Sequence, residues 1–324
     1  MVSNPAGKAA ELHQPVLLST CVNLLAPALQ SPDAIFIDCT LGMGGHTEAV
    51  LTACPAAKAY GIDRDPEALD LAGERLVSFG DRFTPIHAEY DRVGEIVESL
   101  GHPAAAILFD LGVSSLQLDD LDRGFSYSHD APLDMRMNQS QGHTAAEFLA
   151  TASTDQITQI LRDYGEEKFS HRIAQNIVSR RERQPLTRTG ELADLVRDSI
   201  PAPARRKGGH PAKRTFQALR IEVNDELAIL RRAIPAALNS LRPGGRLVVE
   251  SYQSLEDRIV KSELRKVTQT QAPPDLPVVP VEQQARAKDL TRGAIKASPE
   301  EIKANPRAAS VRLRAVEIVM GKET

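Results

Sequence analysis

Short apolar runs that end in an acid recur along the first third of the chain. Ile35-Phe36-Ile37-Asp38, Lys58-Ala59-Tyr60-Gly61-Ile62-Asp63 and Ala104-Ala105-Ala106-Ile107-Leu108-Phe109-Asp110 share this form, and Phe83 to His87 is a weaker fourth run. Near-continuous apolarity over so few residues predicts strands buried on both faces. The intervening segments carry apolar positions with helical spacing, such as Val93, Ile96, Val97 and Leu100. Strand and helix in alternation predict a parallel sheet with helices on both faces. Val16 to Leu25 predicts a short helix ahead of the first strand, and Arg246 to Tyr252 predicts a fifth strand after a Pro243-Gly244-Gly245 turn. Near the C-terminus the pattern changes, because Ser310 to Val319 alternates with period two. That alternation predicts a half-exposed antiparallel strand at the sheet's edge.

The rhythm breaks after Asp110. Leu111 to Asn138 is rich in Asp, Ser and Gly and weakly periodic, and it leaves the carboxyl end of a strand. A loop of that length in a compact domain predicts either function or mobility, and it leaves the edge where open α/β sheets bind ligands. Residues 144–200 then read as three or four helices without a strand: Ala145–Ala150, Thr154–Tyr164, Lys168–Glu182 and Glu191–Ser199. A long helix from Arg214 to Leu241 returns the chain to the sheet, and Ser254-Leu255-Glu256-Asp257 opens another. The expected division is a core over 1–138 and 213–324, interrupted by an inserted all-α domain over 139–212.

The first strand runs into Cys39-Thr40-Leu41-Gly42-Met43-Gly44-Gly45-His46 and then a segment able to start a helix. Strand, glycine-rich turn and helix start form the nucleotide-cradling corner of a doubly wound sheet. Asp63, 21 residues beyond Gly42, stands where such folds bond ribose hydroxyls. Asp65 precedes Pro66 and suits a helix cap, which leaves Asp63 free for a ligand.

Composition narrows the class. The 324 residues are 42% hydrophobic and 25% charged, as in an ordinary soluble protein. No apolar run reaches membrane-span length, and Met1 to Ala10 lacks the regions of an export signal. Cys21, Cys39 and Cys54 lack metal-ligand spacing and read as buried thiols of a cytoplasmic protein, so no metal is expected. The net charge of −4 hides an asymmetry: residues 1–150 hold 8 Lys and Arg against 21 Asp and Glu, and residues 151–324 hold 31 against 22. Between Asp198 and Glu222 stand six basic residues and no acid, which faces either solvent or a phosphate backbone.

Strands, helices and a terminal antiparallel strand in this order suit an S-adenosylmethionine methyltransferase better than a dehydrogenase. Two rivals remain: a nicotinamide-dependent oxidoreductase, which the missing Gly-x-Gly-x-x-Gly spacing disfavours, and a non-catalytic RNA-binding or assembly factor. Methyl transfer by direct displacement asks for alignment of the acceptor and uptake of a proton. Topology places Asp110 for that.

Longer motifs then carry a resemblance. His13-x-Pro-Val-Leu-Leu18, Asp38-x-Thr-Leu-Gly-x-Gly-Gly-His46, Gly61-Ile-Asp-Arg-Asp65 and Asp110-Leu-Gly-Val-Ser-Ser-x-Gln117 occur in order. Asp122-Arg-Gly-Phe-Ser126, Pro132-Leu-Asp-Met-Arg-Met137, Tyr164-Gly-Glu-Glu167, Arg214-Thr-Phe-Gln-Ala-Leu-Arg220 and Ser254-Leu-Glu-Asp-Arg258 follow. From His13 to about Arg314 the chain resembles the bacterial 16S rRNA (cytosine-N4)-methyltransferases of the RsmH (MraW) type. The resemblance implies a Rossmann-like class I methyltransferase core, S-adenosyl-L-methionine as cofactor, and methylation of a cytidine N4 in the decoding region of 16S rRNA. The small ribosomal subunit is then the partner, no membrane is involved, and a homodimer is compatible.

Carried over by position, Gly44, Gly45 and His46 wrap the methionine end of the cofactor, Asp63 takes the ribose, and Tyr90 lies beside the adenine. Asp110 and Gln117 match further cofactor positions. Asp110 is the expected catalytic acceptor, with Asp134 in reserve. Arg205, Arg206, Lys207, Lys213 and Arg214 are the expected RNA contacts, and Phe125, Tyr127 and Phe216 the candidates for stacking on a base. The chain departs from the family at Ser251-Tyr252-Gln253-Ser254, where the family has Ser-Phe-His-Ser, so a histidine base at 253 is excluded. It is also less basic than the family after Asn305-Pro306-Arg307, and has Cys39 where a small residue is usual.

Overall fold

The computed structural model describes residues 15–112, 121–205, 209–270 and 283–319, together with 272 and 280. Its contacts divide the chain into two compact units, residues 1–112 with 227–324 and residues 113–226.

In the first unit, α1 (Leu18–Leu25) leads into β1 (Ile35–Asp38), α2 (Gly45–Ala53), β2 (Lys58–Asp63), α3 (Pro66–Leu76), β3 (Phe83–His87), α4 (Val93–Ser99) and β4 (Ala104–Asp110). The second unit holds α5 (Ala145–Thr151), α6 (Thr154–Asp163), α7 (Ser170–Arg181), α8 (Thr189–Ser199), α9 (Ala202–Arg205) and α10 (Lys213–Val223). The chain returns to the first unit through α11 (Glu226–Ser240), β5 (Leu241–Ser251), α12 (Ser254–Thr268), β6 (Ala287–Asp289), α13 (Pro299–Ala304) and β7 (Arg312–Ile318).

The seven strands form one sheet in the order β3-β2-β1-β4-β5-β7-β6. The five from β3 to β5 are parallel, and β7 runs antiparallel to both β5 and β6. Phe36, Ile37, Ile107, Leu108 and Phe109 are fully buried, as the apolar runs predict for central strands. Asp65 caps α3 by accepting from the Glu67 N–H at 3.2 Å, with Pro66 as the first helical residue. All three cysteines are free and buried.

The helical unit has its own core, in which Leu133, Met135, Ile157, Leu161, Ile173, Ile177, Leu192 and Val196 are almost completely inaccessible. Each such side chain contributes about 1.5–3 kcal/mol of burial. α5 and α6 start in reciprocal capping boxes, Thr144 with Glu147 and Ser153 with Gln156.

Four expectations are corrected. The helix expected from Arg214 to Leu241 is two helices broken at Asn224-Asp225, where Asp225 takes φ +50°. Asn224 turns its amide away to the Met135 carbonyl and the Met137 N–H, both at 2.8 Å, a tertiary reason that no helical period reveals. The Pro243-Gly244-Gly245 turn is part of β5, with the register slipping between Ala104 and Ala106 as at a β-bulge. β7 is not the edge, because the three-residue β6 covers it. The helical unit is wider than 139–212: Pro132 to Met137 and α10 pack into its core through Leu133, Met135, Met137, Phe216 and Leu219.

Candidate active site

A parallel sheet brings the carboxyl ends of its strands to one edge, where open α/β sheets bind ligands. Here the register sets Asp110 of β4 beside Glu250 of β5. Two carboxylates on facing positions repel. The second residue of α2 supplies the opposite charge: His46 Nε2 lies 3.5 Å from Asp110 Oδ2 and 3.5 Å from Glu250 Oε2. The three donor atoms lie within 4.8 Å of one another, close enough to share one cation, and the imidazolium provides that charge itself.

Other groups complete the cluster. The Tyr252 hydroxyl donates to Asp110 Oδ1 at 2.8 Å, and the Cys21 thiol donates to Glu250 Oε1 at 3.4 Å. Thr40 Oγ1 accepts the Asp110 N–H at 2.6 Å. Asp38, at the end of β1, accepts from the Thr47 hydroxyl at 2.7 Å and from the Thr40 N–H at 3.2 Å.

Burial and charge act against each other throughout this cluster. For His46, burial pulls the pKa down, but the Asp110 and Glu250 carboxylates outweigh it and raise the pKa to about 10. Burial and the neighbouring Asp110 charge lift Glu250 to about 7 despite His46. Burial lifts Asp38 to about 6. Asp110 moves the other way: burial raises it, but the bonds and charge from His46, with help from Tyr252, hold it below the ordinary carboxylate value. Burial first, and then the Asp110 charge, push the Tyr252 phenol far above its usual value, so it is a fixed donor. The side chains of His46 and Glu250 are 6% and 0% exposed, whereas that of Asp110 is 26% exposed. Asp110 is therefore the member of the trio that an incoming molecule can reach.

The glycine turn is built largely by the protein's own packing. Gly42 and Gly44 adopt φ +51° and +76°, which reverses the chain between β1 and α2. A Cβ at Gly45 would lie 2.6 Å from Pro15 Cγ, so the missing side chain makes room for the proline ring. Asp63 fastens the turn by accepting from the Gly42 N–H at 2.8 Å and the Asp65 N–H at 2.9 Å. Burial raises its pKa, and these two bonds oppose the rise. Tyr90, just past β3, sets its ring edge-on to Phe109 at 5.6 Å.

Asp134 belongs to the helical unit. Both of its oxygens are taken by the Arg136 guanidinium at 2.8 Å, and its Oδ1 also accepts the Arg136 N–H at 3.0 Å. Burial would raise its pKa, but Arg136 holds it below the usual value. In the basic segment, Arg205 Nε donates to the Ile200 carbonyl at 2.6 Å, and Arg214 Nη1 donates to the Glu166 carbonyl at 2.8 Å. Lys213 is exposed at the start of α10. Gln117, Arg206 and Lys207 lie outside the described residues. Of the stacking candidates, Phe125 and Phe216 are buried in the helical core, which corrects that expectation, and Tyr127 already stacks on His210 at 4.6 Å.

Sequence reasoning missed Glu250 and Cys21, and read Tyr252 only as a departure from the family. Glu250 had a signal of the same kind as Asp38 and Asp110, an acid ending an apolar strand. Cys21 had none.

The sheet order, the antiparallel β7 and the acids at the strand ends are those of a Rossmann-like class I methyltransferase. Residues 10–319 match the MraW methylase family, and the chain belongs to that family. A ribosomal RNA small subunit methyltransferase H of Beutenbergia cavernae is 58% identical over 315 residues, covering 97% of this chain and 95% of that protein. Its namesake in Frankia casuarinae is 59% identical over 304 residues, covering 93% and 95%. Among solved structures, an rRNA methylase from Streptococcus thermophilus is similar at 12% identity and a TM-score of 0.45, covering 95% of this chain and 99% of that one.

Proposed function

We propose that this methylase transfers a methyl group from S-adenosylmethionine to the exocyclic N4 amine of a cytidine in the 16S rRNA of the small ribosomal subunit. The observation that carries the chemistry is the Asp110 carboxylate, ionised, partly open to solvent and backed by His46 and Tyr252. Family membership and the names of the relatives support the donor and the RNA class.

The residues present fit the cofactor. Glu250 Oε2 is buried without a hydrogen-bond partner among the described residues, and three acids crowd the strand ends, a setting suited to a ligand with cationic groups. The Asp63 carboxylate sits at the end of β2, where ribose hydroxyls are bound in such folds. Gly44 and Gly45 would border the methionine end, and Tyr90 the adenine. When bound, the cofactor supplies an electrophilic methyl group on sulfur.

The N4 amine is conjugated with its ring and weakly nucleophilic. An acceptor placed on its N–H is worth most as positive charge develops on nitrogen. Asp110 fills that role and receives the proton that the alkylated nitrogen releases. His46 is a positioning residue: it keeps Asp110 ionised and separates it from Glu250. Asp134, committed to Arg136, serves the helical unit. Arg205, Lys213 and Arg214 are the described members of the basic set and are assigned to phosphates, with Arg206 and Lys207 next to Arg205 in sequence.

The test is a nucleoside digest after incubation with labelled S-adenosylmethionine and unmodified small subunits. Labelled N4-methylcytidine is expected. A label on another nucleoside, or none on subunits, earlier particles and naked rRNA alike, rejects the reading.

A further inference from the structure

The core unit carries a basic groove that the active site does not use. It lies between α12 and the β6–β7 edge of the sheet and encloses about 370 Å³. Lys261 and Arg265, one helical turn apart on α12, form one wall, and Arg292 and Arg314 come from the sheet side. Asp289 is the acid of the lining, and its Oδ1 is committed to its own turn. That oxygen accepts from the Thr291 N–H at 2.8 Å, the Thr291 hydroxyl at 3.0 Å and the Arg292 N–H at 3.0 Å.

The four cations are not equally engaged. Arg314 is held by Asp257 at 2.7 Å, and Arg265 donates to Gln269 at 2.7 Å. Lys261 and Arg292 are exposed, and neither has a carboxylate within ion-pair distance among the described residues. Arg292 sits in the turn after β6 with φ +49°. Among the described residues the groove has no aromatic ring, and its apolar lining is Leu264 and Val316. Without a stacking surface it suits phosphates rather than bases.

We propose that this groove docks the phosphate backbone of the substrate RNA, as a contact surface separate from the basic segment around Lys213. The proposal rests on the rRNA-methylating reading given above. Lys261 and Arg292 are the two charges available to phosphate, with Arg314, anchored by Asp257, fixing the sheet-side wall. Contacts of this type set register and contribute affinity without reading sequence.

The test uses the full chain and the K261Q/R292Q double variant. Binding to unmodified 16S rRNA is measured directly across a salt series, alongside turnover on small subunits. The expected result is weaker rRNA binding, with a salt dependence shallower by about 1.4–1.8 in log–log slope for two lost phosphate contacts. KM for subunits rises, while kcat at saturation, cofactor affinity and melting temperature stay at wild-type values. Unchanged rRNA affinity and slope overturn the proposal. A second arm titrates inorganic phosphate: if it binds wild type at millimolar levels, is lost in the variant, and rRNA binding is unaltered, the groove serves a free anion and the proposal also falls. Because rRNA binding is read without turnover, a wild-type protein that made no N4-methylcytidine would reject the functional reading separately.

Discussion

Asp110 and Asp134 are both short acids held by a cation and several hydrogen bonds, yet their surroundings lead to opposite uses. Asp134 meets a planar guanidinium with both oxygens and closes a local loop from its own residue to Arg136. Both oxygens are engaged within that loop. Asp110 receives Tyr252 on one oxygen and faces His46 at 3.5 Å with the other, beyond a short hydrogen bond. It also has a second acid beside it in the sheet register. A satisfied pair stabilises a loop, whereas a crowded and incompletely bonded cluster holds charge that a ligand can engage. Strained polar chemistry is thus concentrated at the strand ends, and ordinary fastening is left to the helical unit.

The comparison breaks first at turnover. Asp110→Asn should lower kcat, measured at saturating cofactor, by about 10²–10⁴-fold, the usual range for a lost acid–base group. Asp134→Asn should leave kcat per folded molecule intact. Loss of turnover in Asp134→Asn without loss of stability would invert the assignment.

His46→Gln comes next. It leaves Asp110 and Glu250 facing each other with no cation between, and breaking a buried pair in this way costs about 3–5 kcal/mol. Adding Glu250→Gln should recover most of that stability in thermal melts, because the repulsion is then removed from the other side. If the double variant is no more stable than the single one, His46 is not there to balance the two acids.

Smaller effects belong to the helical unit. Asp134→Asn weakens the pairing of the half-buried Arg136, and Asn224→Ala leaves the Met135 carbonyl without its side-chain donor. A loss of about 1–3 kcal/mol is expected for each in denaturant unfolding, with N4-methylcytidine formation unaltered per folded molecule.

The smallest effect is on pH dependence. Glu250 and His46 both have raised pKa values in the folded chain, so the folded state holds more protons than the unfolded one and stability falls as pH rises. The Glu250 part is lost between its ordinary 4.5 and about 7, and the His46 part between 6.5 and about 10. Melting temperature should therefore decline from pH 7 to 10 in wild type, and His46→Gln should flatten that limb. A wild-type melt flat across this range would remove the imidazolium from the account.

Much of the fold was legible because strands and helices are written in local patterns. Short, mostly apolar runs ending in an acid marked β1, β2 and β4, a run after a Pro-Gly-Gly segment marked β5, and Asp65-Pro66 marked the start of α3. The errors came where a distant contact overrules a local pattern. Asn224 breaks a helical period because Met135 and Met137 take its side chain. β6 is invisible because Ala-Lys-Asp has no pattern of its own and becomes a strand only by pairing with β7.

The sequence by itself determined the doubly wound core, the glycine turn, the helical insertion and the family, since each depends on spacing within a few dozen residues or on motifs read in order. The tertiary structure alone decided which acids share one environment. Cys21 and Glu250 are 229 residues apart and meet at 3.4 Å. Asp110 and Glu250 become neighbours only through the β4–β5 register. Proton affinity depends on burial and on charges a few ångströms away, and both are fixed by packing rather than by position along the chain.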